Sequence, residues 1–529
     1  MINHINNAIC KKSQNSQSSF LTPNLSGLNP INSFCMTIAN EHGEIILDKF
    51  TTIPPELFEM LHSLKENPES TKKQKSKIKP QSRNKLGYID PTVAGVDIGD
   101  KIIHVAIPDK KGGVFVKEFA TTTPALYKLA EALKEAGVTT AVMEATGVYW
   151  VPLYDILESL GFKAILVDAK SVKNVPGRKT DTLDCQWIQT LYSNGLLRAA
   201  FRPPRDKLKL RGFVRHRMNL VKNKQYALNR IEKGLQLMNI KLSTAVSEIG
   251  GVTGMRIIRA IVKGERDPVK LARLRNTSCK KAEEVFIDAL TGNFQEENVF
   301  IVSQSLAQFD FACAQMEECD KQILAELESY PTVVDRLPPQ RDKDKNKTSR
   351  FSTRKKPCRN DISFDVRTLL WQKSGRDFTA LGGIEANTAL LIFAELGGAD
   401  VSSWKNVKEF SSWLKLCPGN NISGGKRRKS KKQQCSNYIA QALRMSAMSA
   451  KKTHSAIGAF TRRISGRTDK AKGIKAGAHK IAHMLYYMCK EGWIYFEKGE
   501  EAYENAYKQR CLKNIEKRAK DLGFKLVAI

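Results

Sequence analysis

Apolar and polar positions fall into a regular order from Val93 onward. AGVDIG (94–99) is a short apolar run with β-branched residues and predicts a buried strand. KIIHVAIP (101–108) alternates in part, DKKGG (109–113) is a turn, and VFVKEFAT (114–121) alternates again, which is a hairpin signal. Thr123-Pro124 opens a helix whose apolar positions are Leu126, Leu129, Ala130 and Leu133, and Gly137 ends it. TTAVMEAT (139–146) reads as a fourth strand, VYWVPLYDILESLG (148–161) as a second helix, and KAILVDA (163–169) as a fifth strand. A polar connection leads into TDTLDCQWIQTLYSNG (180–195), a helix with Thr180 placed to cap it.

Three strands, helix, strand, helix, strand, helix is the order of the α/β ribonuclease H-like fold, and it spans about 93–200. The pattern then changes. From Leu210 the apolar positions run Val214, Met218, Val221, Leu228, Ile231, Leu235 and Met238, a 3/4 spacing with basic flanks. A second such stretch covers 303–329, and the two together predict an antiparallel helical or coiled-coil hairpin. A mainly α C-terminal region begins near Phe364, and LGGIEANTALLIFAELGG (381–398) has the shape of a helix-hairpin-helix turn, which offers backbone N–H groups to phosphates. The resulting divisions are 1–88 (a poorly ordered basic extension), 89–204 (the α/β domain), 205–336 (the helical coiled-coil region), 337–363 (a basic linker) and 364–529 (the C-terminal domain).

Charge adds a partner class to this picture of folded domains. The 529 residues hold 86 Lys and Arg against 54 Asp and Glu, a net charge of +32. A surplus of that size favours a polyanion, most often nucleic acid. It is concentrated in places: 71–88 has seven basic residues and no acid, and 341–356 has eight against two. The eleven cysteines form no CxxC, which argues against a structural zinc site and for reduced thiols. No apolar run reaches about 18 residues, so no membrane span is expected, and the first thirty residues lack the apolar core of a secretory signal.

Two constellations carry candidate chemistry. The first is acidic. Asp97 lies within an apolar strand, where a carboxylate is costly unless paired or metal-bound. Glu144 ends the fourth strand, and Asp181 and Asp184, three apart, share one face of a helix start. In a ribonuclease H-like sheet the first and fourth strands are neighbours and the last helix crosses their ends, so the four acids would converge. Such a cluster calls for hard divalent cations, Mg²⁺ with Mn²⁺ as a substitute, which would serve phosphodiester chemistry. The second is NISGGKRRKSKK (421–432). Ser423 precedes Gly424 and Gly425, and Lys426, Arg427 and Arg428 open a basic run suited to a nucleic-acid backbone. A serine there is either a phosphate contact or, with a base or metal beside it, a nucleophile. His479 and His483, spaced i, i+4, lack the glutamate of a metalloprotease motif and read as an ordinary helix face. Tyr149 follows Glu144 closely enough to line the same site.

AGVDIGDKIIHVAI, MEATGVYWVPLYDILESLG, VDAKSVKNVPGRKTDTLDCQWIQ, LCPGNNISGGK and KRAKDLGFKLVAI together resemble the transposases of the IS110 family of bacterial insertion sequences. The resemblance runs from about 93 to the C-terminus. It implies a RuvC-like domain with a DEDD metal site, carried over onto Asp97, Glu144, Asp181 and Asp184. It implies a C-terminal transposase domain whose catalytic serine is Ser423. It further implies cutting and exchange of donor and target DNA through a covalent serine–DNA linkage, guidance by a structured non-coding (bridge) RNA, dimers joining into a tetramer, and a cytoplasmic, nucleoid-associated location. Two other readings remain open on the residues alone: a RuvC-like junction-resolving nuclease, and a non-catalytic nucleic-acid-binding protein. Residues 1–88 exceed the usual lead-in to the first aspartate of this family.

Overall fold

The computed structural model describes residues 34–39, 45–51, 90–109, 113–145, 147–168, 172, 181–338, 360–418, 421–424, 426–428, 437–492, 495 and 497–525, with the backbone course alone given for 34–39, 45–51, 181–183, 421–423 and 426–428. The chain divides into two compact units, Met1–Ala199 and Ala200–Ile529.

The first unit opens with an antiparallel hairpin of β1 (Phe34–Ala39) and β2 (Ile45–Thr51), within the segment expected to be poorly ordered. Its body is β3 (Val93–Ile98), β4 (Ile102–Pro108), β5 (Val114–Ala120), helix α1 (Thr123–Glu135), β6 (Thr140–Glu144), α2 (Trp150–Ser159), β7 (Lys163–Val167) and α3 (Asp181–Ser193). The strand order is β5-β4-β3-β6-β7, antiparallel from β5 to β3 and parallel from β3 to β7. This mixed five-stranded sheet with helices fits a ribonuclease H-like α/β domain. Its central strands are covered on both faces, and accordingly the first four residues of β3 and of β6 are all buried. Val93, Val142, Val167, Ile188 and Leu191 form one core with α3, while Leu126, Leu129, Leu133, Leu153 and Leu157 bury the inner faces of α1 and α2.

The second unit is mainly helical. Its frame is a pair of helices, α4 (Arg205–Leu237) and α9 (Glu296–Glu328), of 33 residues each. They run antiparallel, because Lys209 meets Glu326, Arg217 meets Asp320, and Arg230 meets Gln308. At Gly234 the helices are so close that a Cβ would lie 2.5 Å from a Val302 methyl. The short helices α5 (Leu242–Ala245), α6 (Val252–Val262), α7 (Pro268–Arg273) and α8 (Glu283–Leu290) close a core of their own at one end of this pair. The other end enters a larger core with α10 (Val366–Ser374), α11 (Ala386–Leu396), α12 (Val407–Trp413), α13 (Tyr438–Ala450) and α15 (Lys470–Glu491). Helices α14 (Ala456–Arg467) and α16 (Gly499–Asp521) complete the unit.

The glycine turn before α11 is used for packing. Gly383 has φ 84°, and a Cβ there would sit 2.2 Å from the Ser446 carbonyl oxygen of α13. Helix α11 is buried from Ala389 to Leu396. Within it Glu395 is held by Arg215, through bonds of 2.6 and 2.8 Å, and by Arg211 at 3.0 Å. A second buried pair joins Arg217 to Asp320, whose other oxygen accepts from Ser363 N at 3.1 Å. Several of the basic residues of α4 are therefore internal partners of buried acids. The basic segments 71–88 and 341–356 lie outside the described residues.

Candidate active site

Two of the acidic positions, Asp97 and Glu144, lie on adjacent strands of the first unit's sheet. Val96 of β3 pairs with Met143 of β6 in parallel register. One step further along both strands brings Asp97 alongside Glu144, on the same face of the sheet. Across the antiparallel side, Asp97 pairs with His104 of β4, and His104 pairs with Glu118 of β5. The His104 imidazole lies 3.4 Å from the Glu118 carboxylate. A row of ionisable residues thus crosses four strands: Glu118, His104, Asp97 and Glu144. Sequence reading missed His104 and Glu118, although both sit at alternating positions of strands it had found.

Helix α3 lies on this face because Gly95 lets it. Gly95 and Asp97 point the same way along β3, and a Cβ at Gly95 would lie 2.1 Å from the Cys185 carbonyl oxygen and 2.6 Å from Gln189 N. The helix backbone rests directly on the strand, which carries Asp184 toward the Asp97 end. The Cys185 thiol of α3 lies near both Asp97 and Asp184. Burial pushes its pKa up to about 11, and the charges of Asp97 and Asp184 add to that rise. The thiol is fully buried and stays protonated at neutral pH. Asp181 opens α3 at its first residue, and its side chain lies outside the described residues.

Between β6 and α2 the chain makes a braced turn. Gly147 takes a left-handed φ of 58°, the Trp150 indole donates to the Gly147 carbonyl at 3.2 Å, and Val151 N donates to the Val148 carbonyl at 3.1 Å. Val148 and Tyr149 are exposed on it.

Ser423 belongs to the second unit. It ends β8 (Asn421–Ser423), which pairs antiparallel with β9 (Lys426–Arg428) in the register Ser423 to Lys426, Ile422 to Arg427 and Asn421 to Arg428. The connection is the two residues Gly424 and Gly425, and Gly424 has φ 58°, as a tight hairpin of this length requires. The described residues of this segment thus form a short hairpin with basic residues along its second strand.

Among the described residues no three His, Cys, Asp or Glu side chains stand together as an ion-holding group. Asp97, Glu144 and Asp184 therefore do not form such a group in this structure, against the expected convergence, although carboxylate oxygens are the donors that hard divalent cations of the Mg²⁺ kind prefer. None of the described helices is long and apolar enough to cross a membrane.

An acidic pair on a ribonuclease H-like sheet, followed by a helical unit with a basic glycine hairpin, is compatible with the transposase class. Residues 94–240 match the family model of the IS110-type DEDD transposase domain, and residues 376–462 match that of the transposase IS116/IS110/IS902 family. Both matches support an IS110-family transposase. The first match begins one residue into β3 and ends past α4, and the second covers α11 to α13 with the serine hairpin. No curated protein matches the chain. Membership carries a DNA substrate and enzymatic cutting and rejoining of DNA during transposition.

Proposed function

We propose that this transposase cuts and exchanges donor and target DNA strands with a divalent-metal site formed by Asp97, Glu144, Asp181 and Asp184 and with Ser423 as nucleophile. The observation that carries the reading is the register of β3 and β6, which sets Asp97 beside Glu144 under the helix that bears Asp184. Mg²⁺, or Mn²⁺ in its place, would supply charge neutralisation at the phosphodiester when bound there. The chain's own part is to carry the four carboxylates on two strands and one helix start, from which a bound ion would draw them together. In the exchange step the Ser423 hydroxyl oxygen bonds to phosphorus, the phosphorus–oxygen bond to one deoxyribose breaks, and the proton leaves to the freed sugar oxygen. Reversal of that step with a second strand rejoins the DNA without loss of a bond.

The basic segments 71–88, 341–356 and 426–432 hold nucleic-acid backbones, with Gly424 and Gly425 allowing close approach and Lys426, Arg427 and Arg428 meeting phosphates. A structured RNA from the element's ends selects the sites, since runs of lysine and arginine position a backbone and carry little base information. The α4–α9 pair acts as a coiled-coil arm in a dimer that joins into a tetramer. The working divisions are 89–204, 205–336 and 364–529, with the extension and linker between and before them.

The test is recombination between a donor and a target plasmid by the purified full chain, with and without the transcript of the element's ends. Joined product that requires the transcript supports the reading. Product formed equally without RNA overturns the guidance. Cleavage by Ser423→Ala at the parental rate would instead favour a RuvC-like nuclease in which water attacks.

A further inference from the structure

We propose that Tyr149 is a stacking platform for a DNA base beside the phosphate that is cut at the carboxylate edge. The inference rests on the reading of Asp97 and Glu144 as the cleavage site. Val148 is 73% exposed and Tyr149 50% exposed, on a turn that begins three residues after Glu144. Two bulky apolar side chains held out in water add nothing to a core, and they sit where a polar turn would have served.

The turn is built to hold them there. At Gly147 the left-handed φ of 58° suits glycine, and a Cβ would lie 3.4 Å from the Tyr149 ring, so the ring rests against the glycine backbone. Trp150 is used inward: its indole bonds the Gly147 carbonyl at 3.2 Å, and its ring meets Tyr154 edge-on at 5.8 Å. That brace leaves the remaining surface of Tyr149 to solvent. An aromatic face accepts any of the four bases, because every base has a π surface, and an apolar neighbour such as Val148 can wedge a base step apart. Such contacts suit a site that must act at many sequences and must bring one phosphate out of a regular duplex.

The experiment uses the full chain with the element-end transcript and donor DNA carrying 2-aminopurine on either side of the mapped cleavage position. Stacking on Tyr149 dims the probe. Tyr149→Ala and Tyr149→Leu should brighten it and slow cleavage by about 5- to 150-fold, the range expected for one lost base stack. Tyr149→Phe should keep both dimming and rate. Equal brightness and rate in the parent and Tyr149→Ala would overturn the proposal, as would Tyr149→Phe behaving like Tyr149→Ala, which would assign the effect to the hydroxyl. Asp97→Asn separates the two readings: it should abolish cleavage yet keep the probe dim. Undiminished cleavage by Asp97→Asn would sink the site assignment while the probe still reports on stacking.

Discussion

The two segments proposed to carry chemistry are held by opposite kinds of scaffold. Asp97 and Glu144 stand on central strands of a five-stranded sheet, each strand bonded on both sides and buried on both faces. Ser423 ends a strand of three residues that pairs only with another of three. A ribbon that short is marginal in water by itself. The difference assigns different duties. On the proposed reading, the sheet holds Asp97 and Glu144 side by side before any substrate arrives. The hairpin carries Lys426, Arg427 and Arg428 on its second strand, so a phosphate backbone would add to its order on binding. On the proposed reading, the sheet would position the strands and the hairpin would supply the attacking group.

The largest expected effect lies on the rigid side. Asp97→Asn or Glu144→Gln should lower strand cleavage by about 10³-fold or more, several kcal/mol of transition-state stabilisation, while DNA affinity in a filter-binding assay stays within a few-fold. Cleavage near the parental rate in either variant would remove the sheet from the chemistry. Next comes the frame of the second unit. Asp320→Ala leaves Arg217 buried and unpaired, and urea unfolding of that unit should show a loss of about 3–5 kcal/mol. A loss under 1 kcal/mol would mean that the arginine reaches water.

Gly95→Ala is the finer probe of the sheet. Its methyl group would drive α3 off β3, which should cost about 1–3 kcal/mol in stability and lower cleavage more than DNA binding. Unchanged cleavage would show that the contact of α3 with β3 does not place Asp184. On the hairpin side, each of Lys426→Ala and Arg428→Ala should reduce the slope of log affinity against log salt by about 0.9, the share of one phosphate contact. An unaltered slope would leave those residues without a backbone to hold.

The smallest effect is one of pH. His479 and His483 of α15 face each other with Nε2 atoms 3.2 Å apart, and both have pKa values held below the ordinary 6.5. Burial is the main cause in each; Lys475 and Lys480 add to it for His479, and His479 and Lys480 add to it for His483. As pH falls through 6.5 the unfolded chain takes up these protons first, so the folded state loses stability until its own lower pKa values are reached. Thermal melts between pH 7 and 5 should show this loss, and His483→Gln should flatten it. Identical pH profiles for parent and variant would place both rings in water.

Much of the first unit could be read in the chain because its signals are local. Alternation and β-branched runs marked β3 to β7, and glycines marked the ends of α1 and α2. The pairing of Asp97 with Glu144 was foreseeable only through the strand order, since no local pattern links residues 47 apart. His104 and Glu118 were invisible for that same reason: their meaning comes from lying across from Asp97. Gly95 looked like an ordinary strand residue until α3 was seen resting on it. The charge surplus was legible as a sum and misleading in detail. Arg211, Arg215 and Arg217 looked like a basic helix flank, yet they neutralise Glu395 and Asp320, acids that lie 103 to 184 positions away in the chain. Three-residue strands carry too little pattern to reveal the hairpin at Ser423 in the sequence.

The proposed strand exchange passes through Ser423 and requires the acidic pair on the sheet. The most direct measurement is a denaturing gel of the full chain incubated with end-labelled donor DNA, the element-end transcript and Mg²⁺. The parent should leave label covalently on protein, Ser423→Ala should leave none, and Asp97→Asn should leave at most a trace. Labelled protein from Ser423→Ala, or cleaved DNA from the parent with no protein-bound label, would contradict the account.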